Sequence, residues 1–258
     1  MRIHALIAAA VVIATPLGAA AKDAALAKAV APEHRSENFV ARDKYRHPQE
    51  VLEFFGISPT MTVVEISPGG GYWTEILGPY LKEKGTYYTA VGQRAQEMWT
   101  KKVAEKKDVY GEVKISSFAP TGAEIAPAGS ADLVVTFRNI HNYMGQGFAD
   151  EAFAAFYKAL KPGGILGIEE HRASAEQPQD PKAANGYVRE DYTIGLAEKA
   201  GFKLVGKSEL LANPKDTKDW PKGVWTLPPT LTLGEQDREK YLAIGEADNF
   251  LLKFQKPK

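Results

Sequence analysis

The run Arg138-Asn139-Ile140-His141-Asn142-Tyr143 puts an arginine, a histidine, two asparagines and a tyrosine directly after the apolar stretch Asp132–Phe137. A core strand has no use for polar groups at that density, whereas a few convergent polar groups at the mouth of an apolar cleft are what orients a small ligand. His141 is the candidate general base, because an imidazole with an ordinary pKa of about 6.5 is largely neutral at pH 7 and can take up a proton. The competing role for it is a hydrogen-bonded histidine that ties down a loop. Tyr143, Tyr72 and Trp73 offer ring faces to a cation, and ordinary core packing is the alternative for each. A second polar group, Glu169-Glu170-His171-Arg172, ends another apolar run, and strand alternation places Glu169 and His171 on one face. Upstream, Arg42, Arg46 and His47 can form part of a cap. Arg42, Arg138, Asn142, His171 and Arg172 are the candidate acceptor-binding residues, the arginines suiting an anionic acceptor. No metal site is expected: no two histidines are spaced i, i+4, and Glu169 with His171 supply too few ligands.

A third group is Ser67-Pro68-Gly69-Gly70-Gly71, between an apolar run and a helical pattern. Glycines in that place let the chain turn sharply and let a ligand approach without interference from Cβ, while unpaired helix N–H groups face an anion. The dinucleotide fingerprint G-x-G-x-x-G fails, because its third glycine falls at Thr74. A P-loop fails too, since no Gly-Lys-Ser/Thr follows.

These residues need strands and helices to hold them. β-Branched or aromatic runs bounded by Gly, Pro and Ser predict strands at Thr62–Ile66, Thr86–Val91, Val113–Ser117, Asp132–Phe137, Ile165–Glu170, Lys203–Leu210 and Phe250–Gln255. Helical patterns lie near Tyr72–Glu83, Arg94–Lys106, Phe148–Leu160 and Glu190–Ala200, and Pro48–Phe55 has proline at its start and Gly56 at its stop. Alternating strands and helices imply an α/β, doubly wound, mostly parallel sheet with helices on both faces. In such sheets the ligand crevice lies outside the carboxyl ends of the strands, where all three polar groups fall.

The first residues carry Arg2, an apolar stretch Ala5–Ala14, a breaker at Pro16 and Ala19 and Ala21 spaced as a cleavage site. This predicts a signal peptide over residues 1–21, a linker over 22–36 and a domain over 37–258, exported to the periplasm or outside the cell. The apolar stretch is shorter than the roughly 18 residues that span a bilayer, so no stable membrane anchor is expected after cleavage. With 32 basic and 32 acidic residues there is no positive field to attract nucleic acid. With no cysteine, disulfides, thiolate metal sites and cysteine nucleophiles are excluded.

Val63-Val64-Glu65-Ile66-Ser67-Pro68-Gly69-Gly70-Gly71 resembles the first motif of class I S-adenosylmethionine-dependent methyltransferases, with Ser67 in the place of the first glycine. Asp132–Ile140 and Lys161-Pro162-Gly163-Gly164 are similar to the fourth-strand and Lys-Pro-Gly-Gly motifs of that superfamily. Together with the signal segment they resemble an exported branch of predicted methyltransferases. The resemblance implies a seven-stranded sheet whose last strand is antiparallel, and S-adenosylmethionine as cofactor. It implies that Ser67, Gly69, Gly70 and Gly71 cradle the methionine end, with Glu65 near its amino group and Arg138 and Asn139 alongside. It places Gln93 at the ribose, where the family has an acidic residue, and Ser117 and Phe118 at the adenine, Phe118 as a stacking face. His141 and Tyr143 become the catalytic candidates for methyl transfer to a small-molecule acceptor. Two other readings stay open. One is a non-catalytic nucleoside-cofactor-binding or scaffold protein that keeps the fold. The other, a nicotinamide oxidoreductase, is opposed by Thr74 and by the missing acid at strand two.

Overall fold

The computed structural model describes residues 23–121 and 123–258. Seven strands form one sheet: β1 Thr62–Ile66, β2 Thr86–Val91, β3 Val113–Ser117, β4 Ala131–Phe137, β5 Leu160–His171, β6 Lys203–Ser208 and β7 Asn249–Gln255. Their order is β3-β2-β1-β4-β5-β7-β6. The pairs from β3 to β5 are parallel, and β7 runs antiparallel to β5 and β6. The chain winds outward from β1 to β3 and then returns to lay β4 against the other side of β1. That reversal opens a crevice above the ends of β1 and β4.

The central strands are near-continuous apolar runs because both faces are covered. On one face Val64, Ile66, Val134, Leu166 and Ile168 join Phe153 and Phe156 of the helix Ala149–Ala159 and Leu196 and Ala197 of the helix Glu190–Lys199. On the other, Val63, Leu133, Val135 and Leu251 meet Leu52 and Phe55 of the helix Pro48–Phe55 and Ile76 and Leu77 of the helix Thr74–Leu81. Gly167 in β5 is required here: a Cβ on it would stand 2.7 Å from the Phe55 ring.

Two expectations change. Residues 24–30 are not linker but a helix, capped by Asp23 Oδ1 accepting from the Ala25 and Leu26 amides. It packs on the helices Pro48–Phe55 and Thr74–Leu81 and buries Leu26 completely, so the domain begins before residue 37. An alanine-rich stretch looks like a spacer until a core exists for its one leucine to enter. The run expected as a strand to Leu210 ends at Ser208; beyond it, residues 209–248 cross the top of the sheet, with a 3₁₀ turn at Gly223–Thr226 and a helix at Arg238–Ile244. The segment assigned to a signal peptide lies outside the described residues. No helix among the described residues is long and apolar enough to cross a membrane.

Candidate functional site

A crevice of about 360 Å³ opens above β1 and β4, within the roughly 300–1,000 Å³ usual for small-molecule sites. One wall is the backbone from Ser67 to Gly70. Ser67 (φ 50°) and Gly69 (φ 58°) both take the left-handed conformation, so Ser67 occupies a position that favours glycine. The loop is tied down from β4: Asn139 Nδ2 donates to the carbonyls of Phe137 (3.1 Å) and Ser67 (3.3 Å). A Cβ on Gly69 would meet no protein atom within 4 Å, so the loop presents open space. Behind it Glu65 accepts from Thr74 Oγ1 at 2.8 Å and from the Tyr87 hydroxyl. Burial raises its carboxyl from 4.5 to about 7, against the pull of those two hydrogen bonds and of the Lys102 charge.

The opposite wall is charged. Arg138, the first residue after β4, is also left-handed (φ 59°), and its amide donates to the Glu169 carbonyl at 2.6 Å. Its Nη1 donates to Glu246 at 2.8 Å, and Glu246 also accepts from Arg42 Nε at 2.6 Å and Arg46 Nε at 3.2 Å. Three guanidiniums therefore converge on one buried carboxylate, while Nη2 of Arg42 and of Arg46 are buried with no hydrogen-bond partner among the described residues. Glu169 lies 3.6 Å from Arg138 Nε, and neither of its oxygens is hydrogen-bonded. Burial raises its carboxyl to about 7 despite the Arg138 charge.

Between the walls stand two histidines. His141 Nδ1 and Glu170 Oε1 are 3.0 Å apart, and His171 Nδ1 and Asn249 Oδ1 are 2.7 Å apart. The rings are tilted with centroids separated by 5.6 Å, and Trp225 lies edge-on to His141 at 6.0 Å. Withdrawal from solvent, then the Arg138 charge and His141, hold His171 well below its ordinary pKa. Glu169 lies toward Arg138, while Glu170 Oε1 meets Nδ1 of His141 and accepts from the backbone amide of His171 at 2.9 Å.

Glu65, Ser67, Gly69, Gly70, Arg138, Asn139, His141, Asn142, His171 and Arg42 therefore meet at one crevice. The others do not. Tyr143 is buried in the core, its hydroxyl 2.9 Å from Thr136 Oγ1, because the turn after β4 becomes a helix whose next face points inward. Phe118 packs against Tyr143, Phe148 and Phe156 in that same core and offers no stacking face to the crevice. Gln93 is exposed, Ser117 is half-buried beside Glu124, and neither lines the cavity. Gly71 (φ 97°) turns away from the crevice toward Trp99 and Lys102, and Lys102 Nζ donates to the Gly70 carbonyl. Arg172 faces a separate pocket, paired with Glu190 and Glu209. Tyr72 and Trp73 reach the crevice, but the Tyr72 ring already carries Arg46 at 4.4 Å, and Trp73 stacks on Phe137 at 4.0 Å. His47 borders another hollow. The sequence gives no sign of Glu246, Asn249 or Trp225, which come from the C-terminal segment, far along the chain from the arginines and histidines they meet in the crevice.

No protein-family model and no curated protein matches the chain. Solved structures do. The fold is similar to that of a SAM dependent methyltransferase from Aquifex aeolicus (TM-score 0.58, 16% identity, covering 89% of this chain and 96% of that one). It is similar to phosphoethanolamine N-methyltransferase 2 of Haemonchus contortus in complex with S-adenosyl-L-methionine (TM-score 0.59, 17% identity, 86% of this chain and 55% of that one). It is also similar to the [4+2]-cyclase SpnF (TM-score 0.57, 16% identity, 82% and 80%). The chain thus has the class I methyltransferase fold, with the seven strands and the antiparallel last strand expected of it. A cyclase among the similar structures means that the reaction must be argued from the site.

Proposed function

We propose that this protein transfers the methyl group of S-adenosylmethionine to a small anionic acceptor. The observation that carries the reading is the crevice itself: an open, left-handed glycine loop after β1 and the side chains of Arg42, Arg46 and Arg138 line one gap of small-molecule size. When bound, the cofactor would supply an activated methyl carbon on a sulfonium, open to in-line attack by an acceptor with S-adenosylhomocysteine as the leaving thioether. The protein's task is then to hold two reactants in near-attack geometry.

Ser67, Gly69 and Gly70 would hold the methionine portion, fixed in place by Asn139. The Cβ-free space at Gly69 fits a ligand pressed against the backbone. Arg42 and Arg46, which line the crevice, would supply guanidinium charge for a carboxylate or phosphate on the acceptor. His141 has Nδ1 engaged by Glu170, so its Nε2 is the nitrogen that would accept a proton from an acceptor hydroxyl or amine. Export, through residues 1–21, belongs to the same proposal, and the N-terminal sequence of the protein recovered from the cell envelope tests it.

A second reading, a non-catalytic scaffold protein that keeps the fold, is favoured by the adenosine end. Gln93, Ser117 and Phe118 build no wall there, and Lys102 sits on the glycine loop. Calorimetry with S-adenosylhomocysteine, followed by a screen of carboxylate- and phosphate-bearing phenols and amines for methyl uptake, separates the two. Binding with turnover supports methyl transfer. No binding, or binding with no acceptor in either anion class, supports the second reading, and wild-type affinity in Gly69→Val removes the loop assignment.

A further inference from the structure

We propose, resting on the methyl-transfer reading above, that the acceptor is an aromatic ring carrying an acidic group, and that the exposed indole of Trp225 selects it. Trp225 belongs to the 3₁₀ turn Gly223–Thr226 and lines the crevice. Among the described residues the exposed large apolar side chains are Met98, Tyr192, Val205, Leu242 and Trp225, and Trp225, 36% exposed, is the one of them that lines the cavity. An indole left in water forgoes the burial that a bound ring would restore. The planar surface extends beyond it: the ring contacts run from Trp225 to His141, with centroids 6.0 Å apart, and from His141 to His171 at 5.6 Å, and all three side chains line the crevice.

The indole is held in place before any ligand arrives. The Val224 amide donates to the Asn185 carbonyl and the Thr232 amide to the Trp225 carbonyl, both at 2.9 Å. A Cβ on Gly223 would stand 2.0 Å from the Asn185 oxygen, and one on Gly186 would stand 2.3 Å from Val224 Cγ2 and 3.3 Å from Trp225 Cη2. The turn is therefore pressed onto backbone that only glycine permits, and the edge of the indole rests on Gly186. A ring stacking on Trp225 would lose little affinity to ordering that side chain. Val224, Pro228 and Pro229 also line the crevice, so the C-terminal segment contributes a mainly apolar surface, while Arg42 and Arg138 bring positive charge from the cap and from the turn after β4. A ligand that meets both has an apolar body and an anionic substituent. An aromatic body gains more than an aliphatic one, because ring pairs add offset-stacked or edge-to-face attraction to the area they bury.

The test needs neither methyl donor nor turnover. The whole chain is titrated calorimetrically with ortho-, meta- and para-hydroxybenzoate and with the hydroxycyclohexanecarboxylates of the same substitution, which keep the acid and the hydroxyl but lose the π face. At least one hydroxybenzoate should bind about fivefold or more tighter than its saturated counterpart. Trp225→Leu keeps an apolar side chain and should erase that preference, while Trp225→Phe should retain it. Variants can fail for reasons of folding, so the wild type is also followed by proton–nitrogen spectra, in which the preferred benzoate should shift the Trp225 indole N–H by ring current. Equal affinity for the aromatic and saturated acids, no binding of any hydroxybenzoate, an unshifted Trp225 resonance, or a preference that survives Trp225→Leu overturns the proposal. S-adenosylhomocysteine affinity and methyl uptake are measured separately. Aromatic preference without methyl uptake leaves the Trp225 subsite standing and removes the methyl-transfer reading, whereas equal methyl uptake by the aromatic and saturated acids does the reverse.

Discussion

Arg138 and Glu246 lie 108 positions apart in the chain, and their side chains meet at 2.8 Å above the end of β4. Through this one carboxylate the turn after β4, the N-terminal cap and the C-terminal segment hold one another, since Arg42 and Arg46 also donate to Glu246. Replacing it by an amide leaves three guanidiniums buried around a neutral group. Removing one partner of a buried ion pair costs about 3–5 kcal/mol. Glu246→Gln should lose an amount in that range in urea denaturation, with the unfolding slope unchanged. A loss below about 1 kcal/mol would mean that water reaches the arginines and the cap is not closed.

Glu65 sets a pH dependence of its own. Its carboxyl titrates near 7 when folded against 4.5 ordinarily. Between those values the folded chain holds a proton that the unfolded chain has released, so stability falls as pH rises through the window. The full shift corresponds to about 3 kcal/mol. Glu65→Gln keeps an oxygen for Thr74 and Tyr87 but cannot ionise. Denaturation curves at pH 5, 6 and 7.5 should show that decline in the wild type and a flatter profile in the variant. Parallel profiles would assign the slope to another group.

The sheet was legible because period and punctuation are local: β1, β2 and β3 begin and end at the residues that the β-branched runs and glycines indicate. The glycine loop was legible for the same reason. Tyr143 and Phe118 were misplaced because a polar or aromatic residue beside a strand end can face the crevice or the core, and only the turn geometry decides. The helix Ile140–Gly145 rotates His141 toward the crevice and Tyr143 toward Thr136. Glu246 and Asn249 carry no local signature, since their partners are set by how the last segment crosses the sheet.

Tyr143 can be tested without an acceptor. Tyr143→Phe should leave S-adenosylhomocysteine affinity unchanged and cost about 1 kcal/mol, the net worth of one buried hydrogen bond, from leaving Thr136 Oγ1 without its partner. A loss of affinity at wild-type stability would mean that the hydroxyl reaches the cofactor site.

Ser67 and Arg138 share one backbone conformation, φ 50° and 59°, at the ends of the two strands that flank the crevice. An L-residue in that region is strained by roughly 1–2 kcal/mol relative to glycine, while glycine gives part of this back by loosening the unfolded chain. Ser67→Gly should therefore gain somewhat under about 1 kcal/mol, raising Tm by roughly 2 °C for a domain of this size. Ser67→Ala, which keeps Cβ and the strain, should gain nothing. Arg138→Gly relieves the same strain but strips a guanidinium from Glu246 and from Glu169, so its net effect should be a loss. If Ser67→Gly and Ser67→Ala melt together, the backbone at 67 is not strained and the serine is held there by its hydroxyl; if Arg138→Gly is stabilising, the arginine cluster is under repulsion that an anionic ligand would relieve.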